Sequence, residues 1–166
     1  MPTLPDVLRD HLNYTAWASS KLVEAASVLN PQELMRDFAT ADHNVLGTLV
    51  HVYADRIWLG RIEGNPPAQF IVPEQDMLLS VLTNDWPALH QRWKQWAALL
   101  TEDSINKDIS YKSTKGDPFV TPLWQIILHV VNHGTHHRGL VSGFLRAMGH
   151  TPPSLDLAGF YREALR

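Results

Sequence analysis

The amino-acid sequence predicts an all-α protein, a four-helix bundle with a short additional C-terminal helix. Four long stretches carry apolar residues at intervals of three and four, which is the spacing of one helical face. Proline, glycine and asparagine separate these stretches. The chain has 166 residues, of which 45% are hydrophobic, and this is enough to bury one core without staples. We therefore expect a single domain over residues 1–166.

The first two predicted helices end at clear breaks. The first covers about residues 4–29 and stops at Asn30-Pro31. The second begins near Asp42, a residue type that favours the N-cap position, and covers about residues 42–63. Gly64-Asn65-Pro66-Pro67 closes it.

The third predicted helix covers about residues 74–100 and contains Pro87. Either a new helix starts there, with proline in its first turn, or one long helix kinks. Residues 103–120 show alternation at Ile109 and Tyr111 and then a Gly-Asp-Pro turn, which predicts an irregular excursion or a small hairpin.

The fourth predicted helix covers residues 121–148. Thr121 suits the N-cap and Pro122 the first helical position, while Gly149 is the expected C-terminal stop. A short last helix follows through Leu165, and its candidate caps are Ser154 and Asp156.

The composition excludes several kinds of protein. No cysteine is present, which removes disulfides, thiolate metal sites and a cysteine nucleophile. The net charge is −3 without any run of Lys or Arg, so we expect no nucleic-acid partner. The N-terminus lacks the apolar core of a signal peptide, and 18 consecutive apolar residues occur nowhere. We expect a cytoplasmic protein that does not bind membranes.

Histidine is the residue type that carries chemistry here. Four of the nine histidines fall in HVVNHGTHHRG, which places His129, His133 and His137 four residues apart. On a helix such residues are about 40° and roughly 6 Å apart, so two imidazoles can converge on one ion. This stripe continues the apolar side of the fourth helix, so we expect it to face inward. His136 is turned away from it.

His51 on the second predicted helix is a further candidate ligand. With the histidine pair of the fourth helix it completes a set of three, which leaves coordination positions open for water or substrate. Asp55 lies one turn later. It is either an acceptor that fixes a histidine tautomer, a fourth ligand, or a partner for Arg56 or Arg61. The sequence holds no HExxH, ExxH or phosphate-binding glycine motif.

An ordered set of short segments, spread over nearly the whole chain, resembles the DinB family of metalloenzymes. These segments are Tyr14, Trp17 and Ala18, then GTLVHVYADRIWLGRI at 47–62, HVVNHGTHHRG at 129–139, and the tail with Gly149, Pro152-Pro153 and Asp156.

The resemblance implies a four-helix bundle with a divalent metal, Zn, Ni or Fe, held by one histidine of the second helix and two of the last long helix. By position these ligands are His51, His133 and His137. It leaves His129 as a neighbour of the ligands, and His136 and Arg138 as residues of a surrounding layer or of an interface.

The resemblance also implies function. Members are often homodimers, and some are transferases or isomerases that depend on low-molecular-weight thiols such as bacillithiol or mycothiol. We therefore expect a metal-dependent enzyme acting on a small molecule, with an open metal position that lowers the pKa of water or a substrate thiol. The alternatives are a non-catalytic metal-binding or dimeric interaction bundle, and a bundle without metal whose histidines are satisfied internally.

Overall fold

A computed structural model of the protein, which describes residues 1–67 and 78–164, confirms the all-α class and a helical bundle. Within those ranges the elements are, in chain order, α1 (Leu4–Ser27), α2 (Pro31–Leu34), α3 (Val45–Tyr53), α4 (Asp55–Ile62), α5 (Leu79–Asn84), α6 (Trp86–Ala97), α7 (Glu102–Ile105), β1 (Asp108–Lys112), β2 (Pro118–Pro122), α8 (Leu123–Ala147) and α9 (Leu157–Ala164).

The two longest helices, α1 and α8, form the centre of the bundle. They pack against each other, α3 packs on α8, and α5 and α6 pack on α1. Apolar residues from all of these helices are buried in one core, and the removal of their surface from water is the main source of stability for such a bundle. The residues at the centre include Leu8, Leu22, Leu49, Leu82, Trp86, Trp93, Ile127 and Leu145.

The second predicted helix is two helices, and its predicted start is wrong. Asn44, not Asp42, caps α3, and its side chain accepts a hydrogen bond from the Gly47 N–H at 2.8 Å. A helix from Asp42 is impossible because His43 has φ +60, in the left-handed region. The helix is then interrupted at Ala54, between α3 and α4.

The third predicted helix is also divided. Its described part forms α5 and α6, which meet at Asp85, and Pro87 lies in the first turn of α6. A new helix therefore starts beside the proline. Proline has no backbone N–H, but in the first turn of a helix that group would have no hydrogen-bond partner within the helix. Residues 74–77 of the prediction lie outside the described residues.

A small hairpin precedes the last long helix, as one of the two alternatives predicted. β1 and β2 pair antiparallel, with Ile109 opposite Thr121 and Asp108 opposite Pro122. The predicted cap at Thr121 and helix start at Pro122 are wrong, because pairing with β1 holds both residues extended. Helix α8 begins at Leu123 without a side-chain cap.

The C-terminal part agrees with the sequence prediction. Gly149 follows α8 with φ +89, which is the left-handed conformation of a glycine stop. Helix α9 follows Asp156 and packs on α1, where the Phe160 ring meets Trp17 at a centroid distance of 5.7 Å. Leu165 lies outside the described residues. No helix in the described ranges combines the length and apolar character that crossing a membrane requires.

Candidate metal centre

The packing of α3 on α8 brings three histidines together. His51 comes from α3, and His133 and His137 come from adjacent turns of α8. One ring nitrogen of each lies within 4.8 Å of the others, and Nε2 of His51 is 2.9 Å from Nε2 of His133. Imidazole nitrogens about 2.0–2.1 Å from a tetrahedral ion are about 3.3 Å apart. One ion therefore fits between these residues, the histidine trio, after small side-chain shifts that separate the His51–His133 pair slightly and bring the more widely spaced nitrogens closer.

The rings of the α8 pair are neutral at physiological pH. Burial, followed by the charges of His137 and His51, lowers the pKa of His133 to about 4. Burial also lowers the pKa of His137, and the carboxylate of Asp42 opposes this only in part. A neutral imidazole offers one nitrogen lone pair, which is what Zn, Ni or Fe requires of it. The donor set therefore fits a divalent transition metal.

A carboxylate that the sequence analysis did not assign to the site lies against two of these rings. Oδ1 of Asp42 is 3.1 Å from Nδ1 of His51, and Oδ2 is 3.2 Å from Nδ1 of His137. The Asp42 side chain is 15% exposed. The contact with His137 is close but poorly aligned, because the buried Nδ1 of this ring has no hydrogen bond of good geometry.

These contacts decide which nitrogen of each ring can bind an ion. A carboxylate only accepts, so a neutral ring beside it carries its proton on Nδ1 and its lone pair on Nε2. Asp42 thus leaves the lone pair of both His51 and His137 on Nε2, which is the atom available to an ion. The short distance between His51 and His133 then requires that Nε2–H of His133 donates to Nε2 of His51 in the absence of an ion.

The loop before α3 is shaped to hold Asp42 in this position. Ala39 and His43 both have left-handed φ values, 56° and 60°. The ring of Phe38 stacks on Phe144 of α8 at a centroid distance of 4.3 Å. At the other end, a Cβ on Gly47 would collide with the backbone carbonyl oxygen of Asp42. The absence of a side chain at this one position lets the loop close onto α3.

The histidine stripe lies at the edge of the buried face of α8, so the predicted inward orientation is confirmed only in part: His137 is nearly buried, whereas His129 is exposed. The fully buried positions of this helix form an adjacent face. Within the histidine trio, the side chain of His137 is 12% exposed and that of His51 is 42% exposed. The site is therefore closed on the α8 side and open on the α3 side, where a small molecule can reach it. The buried face includes Ile127, Val130, Gly134, Arg138 and Val141.

A cavity of about 170 Å³ adjoins the histidine trio. His51 and His133 lie on its wall, together with Trp58 and His129. The His129 ring lies edge-to-face on Trp58 at 5.1 Å and stacks on His133 at 5.5 Å. His129 thus lines the cavity and is a neighbour of the trio, outside the group of three ring nitrogens.

Asp55 lines the same cavity as His51 and His133 but has no described hydrogen bond or ion pair with a histidine nitrogen. Its carboxyl is buried, and Oδ1 has no hydrogen bond within the described residues. Burial raises the pKa of Asp55 to about 8, although the nearby Arg138 guanidinium favours the ionised form. No described contact joins Asp55 to the histidine trio. The carboxylate in contact with the ligands is Asp42.

The other two predicted neighbours lie on opposite sides of α8. Arg138 is 1% exposed and donates to Ser19 Oγ at 3.3 Å and to Thr135 Oγ1 at 3.1 Å. It therefore joins α8 to α1 inside the core. His136 is exposed and touches the His137 ring edge-to-face at 4.9 Å.

Comparison with known proteins identifies the family of the chain. The family model described as "DinB family" matches residues 3–164. The protein named "Protein DinB" from Bacillus subtilis (strain 168) is 22% identical over 153 residues, which cover 86% of this chain and 87% of that protein. Because the family model spans nearly the entire chain, the protein belongs to the DinB family.

Proposed function

We propose that this protein is a metal-dependent enzyme in which His51, His133 and His137 hold one Zn, Ni or Fe ion. The observation that supports it is the convergence of three ring nitrogens from two helices within 4.8 Å, with a carboxylate against two of the rings. An internally satisfied cluster accounts for the hydrogen bond between His51 and His133, but not for the convergence of the His137 ring on the same point.

The chemistry follows from the open side of the site. When bound, the ion lowers the pKa of a water or thiol that it coordinates, so that a nucleophile forms near neutral pH. The chain itself supplies orientation: Asp42 fixes the ligand tautomers of His51 and His137. Trp58 and His129 form a wall that positions a small molecule beside the trio. The substrate must bring any thiol, because the chain has no cysteine.

The reaction class that we propose is transfer of a low-molecular-weight thiol to a small electrophile, or an isomerisation that depends on such a thiol. Membership of the DinB family and the accessible cavity support this choice. In the transfer, a carbon–sulfur bond forms while the leaving group departs, and the thiol proton passes to solvent. A metal with three protein ligands has the coordination position that such a thiol needs.

Metal binding is tested first. Protein purified without a histidine tag and stripped with a chelator is titrated separately with Zn²⁺, Ni²⁺ and Fe²⁺, and metal content and melting temperature are measured. We expect one ion per chain and a raised melting temperature. His133→Ala removes both effects, whereas the control His136→Ala, which changes the exposed histidine beside the trio, retains them. Equal binding by the two variants would refute the site.

Catalysis is tested with the same variants. Metal-loaded protein is mixed with cysteine or another small thiol and 1-chloro-2,4-dinitrobenzene, and the thioether is followed as chloride leaves. Turnover that requires the metal and disappears in His133→Ala supports the enzyme. If His133→Ala only lowers the melting temperature and no thiol or electrophile gives turnover, the ion has a structural role and the protein is a non-catalytic metal-binding bundle.

We further propose, from the resemblance, that the protein is a homodimer, and, from its composition and charge, that it is cytoplasmic and binds neither nucleic acid nor membranes. Light scattering coupled to size-exclusion chromatography measures the mass in solution. A mass of one chain at micromolar concentration would contradict the dimer.

A further inference from the structure

A second, larger cavity lies beside the one at the histidine trio. It has a volume of about 550 Å³ and is formed by the end of α4 and the turn of the β1–β2 hairpin. The two cavities share Arg61 and Thr114 as lining residues, so one opens next to the other. A molecule with one end at the trio can therefore extend into this second space, the hairpin cleft.

The charge of the hairpin cleft is opposite to that of the chain. Its described lining residues include three cations, Arg61, Lys112 and Lys115, and no carboxylate, whereas the chain as a whole carries −3. Lys112 and Lys115 are exposed, and neither forms an ion pair with any residue that the structure describes. The nearest acid of the turn, Asp117, accepts a hydrogen bond from Ser113 Oγ at 3.3 Å. The described lining of the cleft is thus net positive.

Arg61 is fixed at the boundary between the two cavities. Its guanidinium lies over the rings of Trp58 and Tyr111, 4.5 Å and 4.9 Å from their centroids, and donates to the carbonyl oxygen of Lys112 at 2.7 Å. These contacts attach the hairpin to α4 beside the metal site. They also place a permanent positive charge where a substrate passes from one cavity into the other.

We propose that the hairpin cleft binds the anionic, carboxylate-bearing part of a small substrate whose thiol reaches the histidine trio. This inference rests on the proposed function, which supplies the thiol end. Lys112 and Lys115 attract the carboxylates, and Thr114 adds a hydroxyl donor beside the passage. Among thiols of equal reactivity, the cleft thereby favours those whose remaining part is anionic.

The test uses the full chain loaded with Co²⁺, because a thiolate bound to Co²⁺ gives a charge-transfer band in the near ultraviolet. Titrations with mercaptosuccinate, which is anionic, and with 2-mercaptoethanol, which is neutral, give a Kd for each thiol. The same titrations are made with the double variant Lys112→Gln/Lys115→Gln. The control is Lys94→Gln, which removes an exposed lysine on α6 that lines a different cavity.

We expect the double variant to weaken mercaptosuccinate binding about five- to tenfold while 2-mercaptoethanol binding stays unchanged. This loss shrinks in high salt, as an exposed charge interaction does. Lys94→Gln leaves both dissociation constants as they are. Unchanged melting temperatures establish that the exposed lysines are not needed for folding.

Two results would overturn the inference in distinguishable ways. If both thiols bind but the double variant binds mercaptosuccinate as tightly as the wild type, the hairpin cleft does not hold the anionic part, and the proposed function stands. The same conclusion follows if Lys94→Gln, which removes one charge instead of two, weakens binding by at least the square root of the factor seen in the double variant, because net charge alone then accounts for the effect. If neither thiol produces a charge-transfer band, the thiol-dependent function fails and the inference fails with it.

Discussion

Replacing Asp42 by asparagine tests the orientation of the metal ligands. Asp42 uses two carboxylate oxygens to face Nδ1 of His51 at 3.1 Å and Nδ1 of His137 at 3.2 Å. Asparagine is nearly the same size but has only one acceptor, and its NH₂ group only donates. One of the two rings must therefore move its proton to Nε2, which removes a ligand lone pair. Because the side chain is only 15% exposed, water does not readily replace the lost acceptor.

The expected size of this effect follows from the loss of one oriented ligand. Changing a residue that orients a metal-binding histidine costs roughly 10- to 100-fold in metal affinity. This corresponds to about 1.4–2.7 kcal/mol of binding free energy. The assay is competition of the chelated, untagged protein with a chromophoric chelator for Zn²⁺ or Ni²⁺ at pH 7.5. Melting of the metal-free protein shows whether the variant keeps the fold.

The matched control is Asp37→Asn, which removes the same charge from the same loop. The Asp37 side chain is 66% exposed, lies 3.5 Å from Nδ1 of His43, and accepts from the Ala39 N–H. An asparagine oxygen keeps that last hydrogen bond. We expect metal affinity within about twofold of wild type, since exposed charge effects are small. The reasoning is refuted if Asp42→Asn binds metal as tightly as wild type, or if Asp37→Asn loses as much.

Three further predictions concern the fold around the site, and each is measured by denaturant unfolding of metal-free protein. Burial lowers the pKa of His90 from 6.5 to about 4, so on acidification the unfolded chain binds a proton at this ring before the folded protein does, and stability falls as the pH drops from 6.5 towards 4. His90→Gln should lose less stability over that range. The same pH profile in the variant as in wild type would contradict this prediction. The pKa of Asp55 is raised from 3.8 to about 8, so the folded state holds this proton and stability falls as the pH rises through that window. Asp55→Asn cannot ionise, so it should match wild type near pH 4 and become increasingly the more stable form as the pH rises towards 8; a loss of about 3–5 kcal/mol at pH 7 would instead mark an ionised pair with Arg138. Gly47→Ala should destabilise the protein by about 1–3 kcal/mol and weaken Zn²⁺ binding, because the new methyl group displaces the Asp42 carbonyl. A gain in stability of about 1 kcal/mol, as helix propensity alone predicts, would show that the loop adapts freely.

The sequence contained enough local information for the helices and for half of the site. Helix α8 follows from its apolar spacing, and its end at Gly149 follows from the need for a left-handed residue. The proximity of His133 and His137 is likewise a property of any α-helix, so it could be predicted without the rest of the fold. The addition of His51 depended on its place on a second amphipathic helix and on the family resemblance.

Asp42 shows what local patterns leave undetermined. As a cap-type residue ahead of an apolar run, it was assigned to the helix start, yet Asn44 fills that role. With Asn44 in the capping position, the Asp42 side chain has no role in starting the helix. The sequence does not show where such a carboxylate points. Its contact with His137 crosses 95 residues of chain and exists only because Phe38 and Gly47 let the loop close against α8 and α3.

The sequence by itself thus determined the helical segments and the i, i+4 histidine pair, because both depend on interactions within a few residues of chain. Tertiary packing alone decided that the second predicted helix breaks at Ala54, that Asp55 is buried without a described bond to the histidine nitrogens, and that Asp42 lies against two of the histidine rings. These outcomes depend on which surfaces meet in the bundle. Apolar burial and side-chain fit between distant segments stabilise one arrangement of these surfaces over the others. Hydrophobic periodicity shows that a helix has an apolar face, but it does not specify which segment packs against that face.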